Sequence, residues 1–125
     1  MTEKYVLVVE DDPFYSKIYK TKLAKENLNA QLASNGDVAL KIIKESGLPV
    51  LILLDLVMPG KDGFETLKDL KADVTMKDVP VIVLSNLSQE EDIKRVMDMG
   101  ASEYLIKANT SIQTVVDKMK ESLGV

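Results

Sequence analysis

The middle of this chain carries residues 50–55, VLILLD, a run of five aliphatic side chains that ends at the carboxylate of Asp55. A strand with one solvated face alternates apolar and polar residues, whereas a strand buried on both faces is apolar throughout, as in parallel sheets covered by helices on both sides. The run therefore predicts a central strand of a parallel sheet, with Asp55 directly after its carboxyl end.

Four further segments show the same arrangement of a short apolar run followed by polar residues. They are residues 5–9 before Glu10-Asp11-Asp12, residues 81–84 before Ser85-Asn86, residues 104–106 before Lys107, and a weaker run at residues 31–33. Helical patterns alternate with these runs, which predicts an α/β, flavodoxin-like, doubly wound (βα)5 fold. The second run alternates and suits an edge, so right-handed crossovers favour a five-stranded parallel sheet in the order 2-1-3-4-5 with helices on both faces.

Capping residues and apolar stripes predict the helix ends and faces. Asp12-Pro13 fits an N-cap followed by proline, Ser88 with Glu91 and Thr110 with Gln113 fit capping boxes, and Gly47 and Gly100 fit helix stops. The last helix has one apolar stripe, formed by Ile112, Val115, Val116, Met119 and Leu123. In the fourth helix we expect Ile93, Val96 and Met97 to face inward.

Composition limits the chemistry that this chain can perform. Its 125 residues predict one domain, residues 1–125. It has no cysteine and no histidine. Any reaction in which a histidine donates a phosphoryl group would therefore need that histidine from a partner protein. The net charge of -4 and the lack of a basic stripe argue against direct nucleic-acid binding. The longest apolar run, residues 48–54, is too short to cross a membrane, and the N-terminus lacks signal-peptide features, so we expect a cytoplasmic protein.

Glu10, Asp11 and Asp55 are expected to converge where the first and third strands lie side by side. Carboxylates ~4 Å apart repel by about 4 kcal/mol per pair at an effective dielectric of about 20, so a compensating cation is needed. Oxygen ligands favour a hard divalent ion such as Mg²⁺. A carboxylate at Asp55 can then attack phosphorus, with Lys107 and Ser85 contacting phosphate oxygens. For Asp12, which precedes a proline, a simple N-cap is the preferred interpretation.

The ordered motifs resemble those of the receiver domain of bacterial response regulators, close to the single-domain chemotaxis type. They are residues 6–12, 54–63, 83–85 and 100–107, of which the stretch DLVMPGKDG at residues 55–63 is the most specific. The resemblance covers essentially the whole chain. It implies two-component phosphorelay signalling in the cytoplasm. The protein would be a phosphoprotein that acts as a switch when it carries an aspartyl phosphate. It would not be an enzyme, apart from slow autodephosphorylation.

The resemblance also implies a role for each site residue. Asp55 would be the phosphoacceptor, Ser85 the switch hydroxyl, Tyr104 the switch aromatic and Lys107 the ion-pair partner of the phosphoryl group. Mg²⁺ would be held by Glu10, Asp11, Asp55 and the backbone carbonyl of Val57, with Glu10 acting through water. The alternative for Tyr104 is ordinary half-buried packing.

The implied partners are a sensor histidine kinase or histidine phosphotransfer protein and an unknown downstream protein. The downstream protein would be contacted through helix 4, strand 5 and helix 5. The resemblance leaves open a monomer or a phosphorylation-dependent dimer. Because the chain ends at Val125, we expect the signal to pass to another protein, whether the chain is a stand-alone regulator or a receiver from a longer one.

Three positions depart from the family pattern. Val57, two residues after Asp55, is apolar where some relatives carry a polar residue that helps to orient the hydrolytic water, so we expect a longer-lived phosphorylated state. Ala108 follows Lys107 where proline is usual, often with a cis bond; a cis bond to alanine costs ~2.5–4 kcal/mol, so we expect a trans bond. Asn86, beside Ser85, is bulkier than the alanine that is frequent there, and we expect it to narrow access to the site.

Three alternative functions remain. A Mg²⁺-dependent phosphohydrolase of the haloacid-dehalogenase type would need a second aspartate at position 57, which is Val57 here. A flavin-binding module would need Gly, Ser and Thr after the first strand, where this chain has three acids. A pseudo-receiver would have lost the ability to take phosphate, and the intact acidic, serine and lysine set argues against it.

Overall fold

A computed structural model of the chain describes residues 4–58, 60 and 62–125. Two residues of the 55–63 motif, Pro59 and Lys61, lie outside the described residues, as do residues 1–3 at the N-terminus. The strands are β1 Val6–Val9, β2 Ala30–Ala33, β3 Leu51–Leu54, β4 Val81–Ser85 and β5 Glu103–Ile106. The helices are α1 Pro13–Lys25, α2 Gly36–Ser46, α3 Gly63–Ala72, α4 Glu90–Asp98 and α5 Ile112–Leu123, with a short 3₁₀ helix at Lys107–Asn109.

The sheet has the order β2-β1-β3-β4-β5, and every pair of neighbouring strands is parallel. This confirms the predicted doubly wound, flavodoxin-like fold. In the register of the central strands, Val9 pairs with Leu54, so that Glu10 and Asp55 follow at the same edge. Ser85 pairs with Ile106 in the same way, which brings Lys107 to that edge.

Apolar side chains of the central strands fill two cores, one on each face of the sheet. Leu7, Ile52 and Val83 pack toward α2, α3 and α4, whereas Val8, Leu53 and Ile82 pack toward α1 and α5. Burying the central strands on both faces is what requires their unbroken apolar sequence. Among the described residues, no helix is long and apolar enough to span a membrane.

The predicted start of α1 is confirmed, whereas two predicted capping boxes are wrong. Asp12 accepts a hydrogen bond from the Phe14 amide at 2.9 Å, ahead of Pro13. Gln89, not Ser88, is the N-cap of α4, and its side chain makes no capping hydrogen bond. Acidic residues in the first turn of α4 stabilise the helix instead, because their negative charges interact favourably with the positive end of the helix dipole. Helix α5 is capped by Ser111, because the Thr110 hydroxyl already donates to the Ile106 carbonyl at 2.8 Å.

The apolar stripe of α5 faces the sheet as predicted, but one residue of α4 does not. Val115, Val116 and Met119 are buried in α5, and Ile112 and Leu123 pack at the margin of the same core. In α4 Val96 is buried, Ile93 is half-buried, and Met97 is 40% exposed. Neighbouring helical residues point about 100° apart, so a narrow contact with the sheet admits Val96 and leaves Met97 in solvent.

Candidate functional site

Three carboxylates meet at the carboxyl edge of the sheet. One oxygen each from Glu10, Asp11 and Asp55 lies within 4.8 Å of the others. Glu10 follows β1 and Asp55 follows β3, and the Asp55 amide donates to the Val9 carbonyl at 3.0 Å, which extends the ladder to the site itself. Glu10 and Asp55 are only 5% and 8% exposed, whereas Asp11 is exposed. The cluster therefore has a buried floor and one solvent-facing ligand.

Lys107 compensates part of this negative charge. Its ammonium donates a hydrogen bond to Glu10 Oε1 and lies 3.6 Å from Asp55 Oδ2. The Lys107 side chain is only 11% exposed, so the charges interact through a medium that screens them less than water does. Direct pairing of Lys107 with Glu10 was not part of the sequence-based prediction, which paired the lysine with a phosphoryl group.

Burial and neighbouring charges together set the pKa values of Glu10 and Lys107. The net pKa of Glu10 is raised to about 7: desolvation is the largest cause and the charge of Asp55 adds to it, while the hydrogen bond from Lys107 opposes both. Burial lowers the pKa of Lys107, but its hydrogen bond to Glu10 and the charge of Asp55 outweigh burial, so the net pKa is raised. Lys107 therefore remains an ammonium ion at neutral pH, while Glu10 is the group most readily protonated.

The donor set fits a hard divalent cation. With all three carboxylates ionised, Lys107 leaves an excess of two negative charges, which is the charge that such an ion neutralises. All available side-chain ligands in the cluster are oxygens, and the exposed position of Asp11 leaves room for bound water. Mg²⁺ prefers oxygen ligands and retains several waters. The residues that could hold it are Glu10, Asp11 and Asp55.

The loop after β3 orients Asp55. The Val57 amide lies 3.3 Å from Asp55 Oδ1, and the Gly63 amide donates to the Leu56 carbonyl at 2.9 Å. A Cβ atom on Gly63 would lie 2.3 Å from the Asp55 carbonyl oxygen, so only glycine permits α3 to start this close to the loop. Val57 itself is 60% exposed at the rim of the site.

Ser85 and Tyr104 meet at the loop between β4 and α4. Ser85 is fully buried, and its Oγ accepts a hydrogen bond from the Leu87 amide at 3.3 Å. The Tyr104 hydroxyl donates to the Leu87 carbonyl at 2.6 Å. Tyr104 is half-buried against the core beneath α4, and burial raises the pKa of its hydroxyl. One loop residue, Leu87, thus connects the two predicted switch residues.

Two neighbours of the site were not predicted to take part in it. The Tyr15 ring centroid lies 4.4 Å from Lys107 Nζ, an arrangement in which the ring attracts the ammonium. Asn86 Oδ1 accepts a hydrogen bond from the Ala108 amide at 2.8 Å. The sequence carried one signal for the second contact, because Asn86 and Ala108 are two of the three positions that depart from the family pattern.

Comparison with known proteins gives a consistent result. A family model described as the response regulator receiver domain matches residues 6–119. Response regulator PleD of Caulobacter vibrioides is 35% identical over 102 residues, which cover 82% of this chain and 22% of PleD. The chain spans about half or less of the length of the curated relatives it matches.

Solved structures give the same result. The BeF3-activated N-terminal receiver domain of Klebsiella pneumoniae RstA is 28% identical with a TM-score of 0.84, covering 96% of this chain and 98% of that one. The Mn²⁺-bound form of response regulator Rcp1 is 28% identical with a TM-score of 0.78, covering 98% of this chain and 91% of that one. The segment that the family model matches contains every residue of the acidic cluster and Lys107.

Proposed function

This chain belongs to the response regulator receiver domain family of two-component signalling, and we propose that Asp55 accepts a phosphoryl group from a partner's phosphohistidine in a Mg²⁺-dependent reaction. The partner would be a sensor histidine kinase or a histidine phosphotransfer protein. The observation that carries this proposal is the position of Asp55, a buried carboxylate held between two further acids and the Lys107 ammonium.

In the proposed transfer, an Asp55 oxygen attacks phosphorus, the new bond to oxygen forms and the bond from phosphorus to the imidazole nitrogen breaks. The electron pair of the broken bond leaves with the imidazole. The chain needs no general base of its own, because a carboxylate nucleophile has no proton to lose. The metal ion, when bound by Glu10, Asp11, Asp55 and the Val57 carbonyl, supplies positive charge that offsets the developing negative charge. The structurally similar response regulator Rcp1 has an Mn²⁺-bound form, which supports binding of a divalent ion by this chain.

Lys107 and Ser85 would respond to the new phosphoryl group. Lys107 lies 3.6 Å from Asp55 Oδ2, so a phosphoryl oxygen on Asp55 would compete with Glu10 for its ammonium. The Ser85 hydroxyl would move toward the phosphoryl group and release the Leu87 amide. Because Tyr104 donates to the same residue, this motion would change the α4–β5–α5 surface, a shift between two existing states.

We further propose a switch without turnover of an external substrate, with slow autodephosphorylation as its only reaction after transfer. Residues 1–125 form the receiver unit, and its setting is the cytoplasm. Its output is protein contact with a downstream partner through the α4–β5–α5 surface, as a monomer or as a phosphorylation-dependent dimer.

Intact-protein mass after incubation with acetyl phosphate, with and without Mg²⁺, tests the proposal. We expect one labile phosphoryl group on the wild type in the presence of Mg²⁺ and none on Asp55→Asn. Asp12→Asn is the matched control: it makes the same chemical change next to the site but keeps a residue that caps helices equally well, so labelling should persist. Absence of labelling on the wild type, under conditions that label a known receiver, would instead identify a pseudo-receiver.

A further inference from the structure

We propose that Asn86 is a positioning residue for Lys107, holding the backbone beside the lysine through the Ala108 amide. The inference rests on the function proposed above for Asp55 and Lys107. It concerns two residues that lie outside the acidic cluster and that contact neither the metal ligands nor Asp55 in any described hydrogen bond.

The sheet brings these two residues together. Asn86 directly follows β4, and Ala108 lies two residues beyond the end of β5. Because the two strands are parallel neighbours with Ser85 paired to Ile106, the loops that leave them start side by side. Asn86 Oδ1 then reaches the Ala108 amide at 2.8 Å, across 22 positions of sequence. The bond joins the loop that follows Ser85 to the turn that carries Lys107.

The backbone after β5 makes the Ala108 amide available. Lys107–Asn109 form a single 3₁₀ turn, and no cis peptide bond is found among the described residues. The first amides of a helical turn have no acceptor within it, and Asn86 supplies one. The far side of the turn is held by the Thr110 hydroxyl, which donates to the Ile106 carbonyl at 2.8 Å.

Proline at position 108 could not form this contact. It has no N–H to donate, and it disfavours a helical conformation at the preceding residue, which is Lys107. The 3₁₀ turn that begins at Lys107 therefore depends on a residue such as alanine at position 108. Two of the three departures from the family pattern, Asn86 and Ala108, compensate each other as one hydrogen-bonded pair.

The bond between Asn86 and Ala108 affects the site through the position of the Lys107 ammonium group. Lys107 has a flexible four-carbon stem, so where its ammonium can reach depends on where its backbone starts. The ammonium lies between Glu10, Asp55 and the Tyr15 ring, and the Asn86 bond fixes the peptide directly after the lysine. Loss of that bond should leave the metal ligands in place but let Lys107 move away from Asp55.

The experiment compares Asn86→Ala with Asn86→Asp, which keeps an acceptor oxygen, and with Asn109→Ala, an exposed asparagine next to Ala108. The first readout is hydrogen exchange of the Ala108 amide, measured by NMR together with the ¹⁵N shift of Lys107 Nζ. The second is the rate of Asp55 phosphorylation by acetyl phosphate at saturating Mg²⁺, where the extra charge of the aspartate variant no longer affects metal occupancy. Mg²⁺ affinity is measured separately.

For Asn86→Ala we expect Ala108 exchange to rise by roughly tenfold, the Lys107 Nζ shift to change, and phosphorylation to slow by roughly three- to tenfold. Mg²⁺ affinity should stay within about twofold, and Asn86→Asp and Asn109→Ala should resemble the wild type. In a Lys107→Ala background, Asn86→Ala should have no further effect on the rate, because both changes act through the same ammonium.

A phosphorylation rate for Asn86→Ala within about twofold of wild type would overturn the inference. An equal slowing in the Lys107→Ala background would do so as well, since Asn86 would then act independently of the lysine. If the wild type takes no phosphate, the proposed function fails on its own. The NMR readouts then decide the positioning role: unchanged Ala108 exchange and an unchanged Lys107 Nζ shift in Asn86→Ala would refute it.

Discussion

At the scale of single residues, Glu10 and Asp55 compete for one positive charge, the Lys107 ammonium. Lys107 donates to Glu10 and lies farther from Asp55, so Glu10 holds the ammonium when no phosphoryl group is present. Glu10 combines deep burial with a nearby carboxylate, and its pKa is consequently raised to about 7. The protonation state of Glu10 therefore affects both the stability of the folded protein and the net charge of the acidic cluster.

Glu10 makes the stability of the metal-free protein depend on pH. Its pKa is raised from 4.5 when unfolded to about 7 when folded, so the folded state binds the proton more tightly between these values. The contribution of Glu10 to the free energy of unfolding is fully present below pH 4.5 and is lost as pH rises through 7, by roughly 1–3 kcal/mol.

Urea denaturation between pH 5 and 7.5 with a metal chelator, of the wild type and Glu10→Gln, measures this contribution. The amide cannot ionise, so the difference in unfolding free energy between the two proteins should shift in favour of the variant as pH rises. Parallel pH dependences would contradict the assignment of the raised pKa to Glu10.

At the scale of elements, the loops after parallel strands hold the site through hydrogen bonds to neighbouring residues. Helix α3 begins against the loop that follows β3, with the Gly63 amide bonded to Leu56. Leu87 connects Ser85 to Tyr104 in the loop after β4. Each contact ties a loop at the site to a neighbouring element.

Gly63→Ala should destabilise the protein by roughly 2–3 kcal/mol, although alanine is ordinarily the better helix former by about 1 kcal/mol. The added Cβ would lie 2.3 Å from the Asp55 carbonyl oxygen and 2.5 Å from Leu56 Cα, both backbone atoms that cannot rotate away. Because the clash involves the backbone of Asp55, phosphorylation should also slow. Chemical denaturation and acetyl-phosphate labelling measure the two effects.

Gly60→Ala is the control in the same loop. Position 60 has φ +77 and no atom within 4 Å of an added Cβ, so only backbone strain of about 1 kcal/mol is expected. A Gly63→Ala variant as stable as Gly60→Ala would show that α3 can move away from the loop.

At the scale of the whole molecule, folding brings acids of two separated chain segments into one cluster. The repulsion among them is a cost that the folded protein carries when no metal is bound. Since the unfolded chain does not hold these acids together, a divalent ion held by the proposed site would bind the folded state preferentially and stabilise it.

Mg²⁺ at ten times its dissociation constant should add about 1.4 kcal/mol to the free energy of unfolding, seen as a higher melting temperature. Asp11→Asn should lose most of this gain. Its metal-free stability should equal or exceed that of the wild type, because an exposed negative charge is removed from the cluster. Thermal denaturation with and without Mg²⁺ separates the two effects, with Asp12→Asn as the control. A full Mg²⁺ response in Asp11→Asn would remove Asp11 from the ligand set.

The order of the sheet and the edge that carries the site followed from local pattern. Residues 50–54 are apolar without a break because both faces of β3 are buried, and polar residues after parallel strands necessarily share an edge. Periodicity also predicted the inward stripe of α5. These features depend on which residues follow one another, and they can be derived before any contact between segments is known.

The meeting of Glu10, Asp11 and Asp55 was predicted from the strand ends, but tertiary structure alone decided the helix caps and the partners of Lys107 and Ala108. The Thr110 hydroxyl is taken by Ile106, so Ser111 caps α5, and the narrow contact of α4 leaves Met97 in solvent. The pairing of Lys107 with Glu10 and the bond from Ala108 to Asn86 join segments 97 and 22 positions apart. Such contacts depend on the relative placement of loops and on side-chain rotamers, which have no period in the sequence.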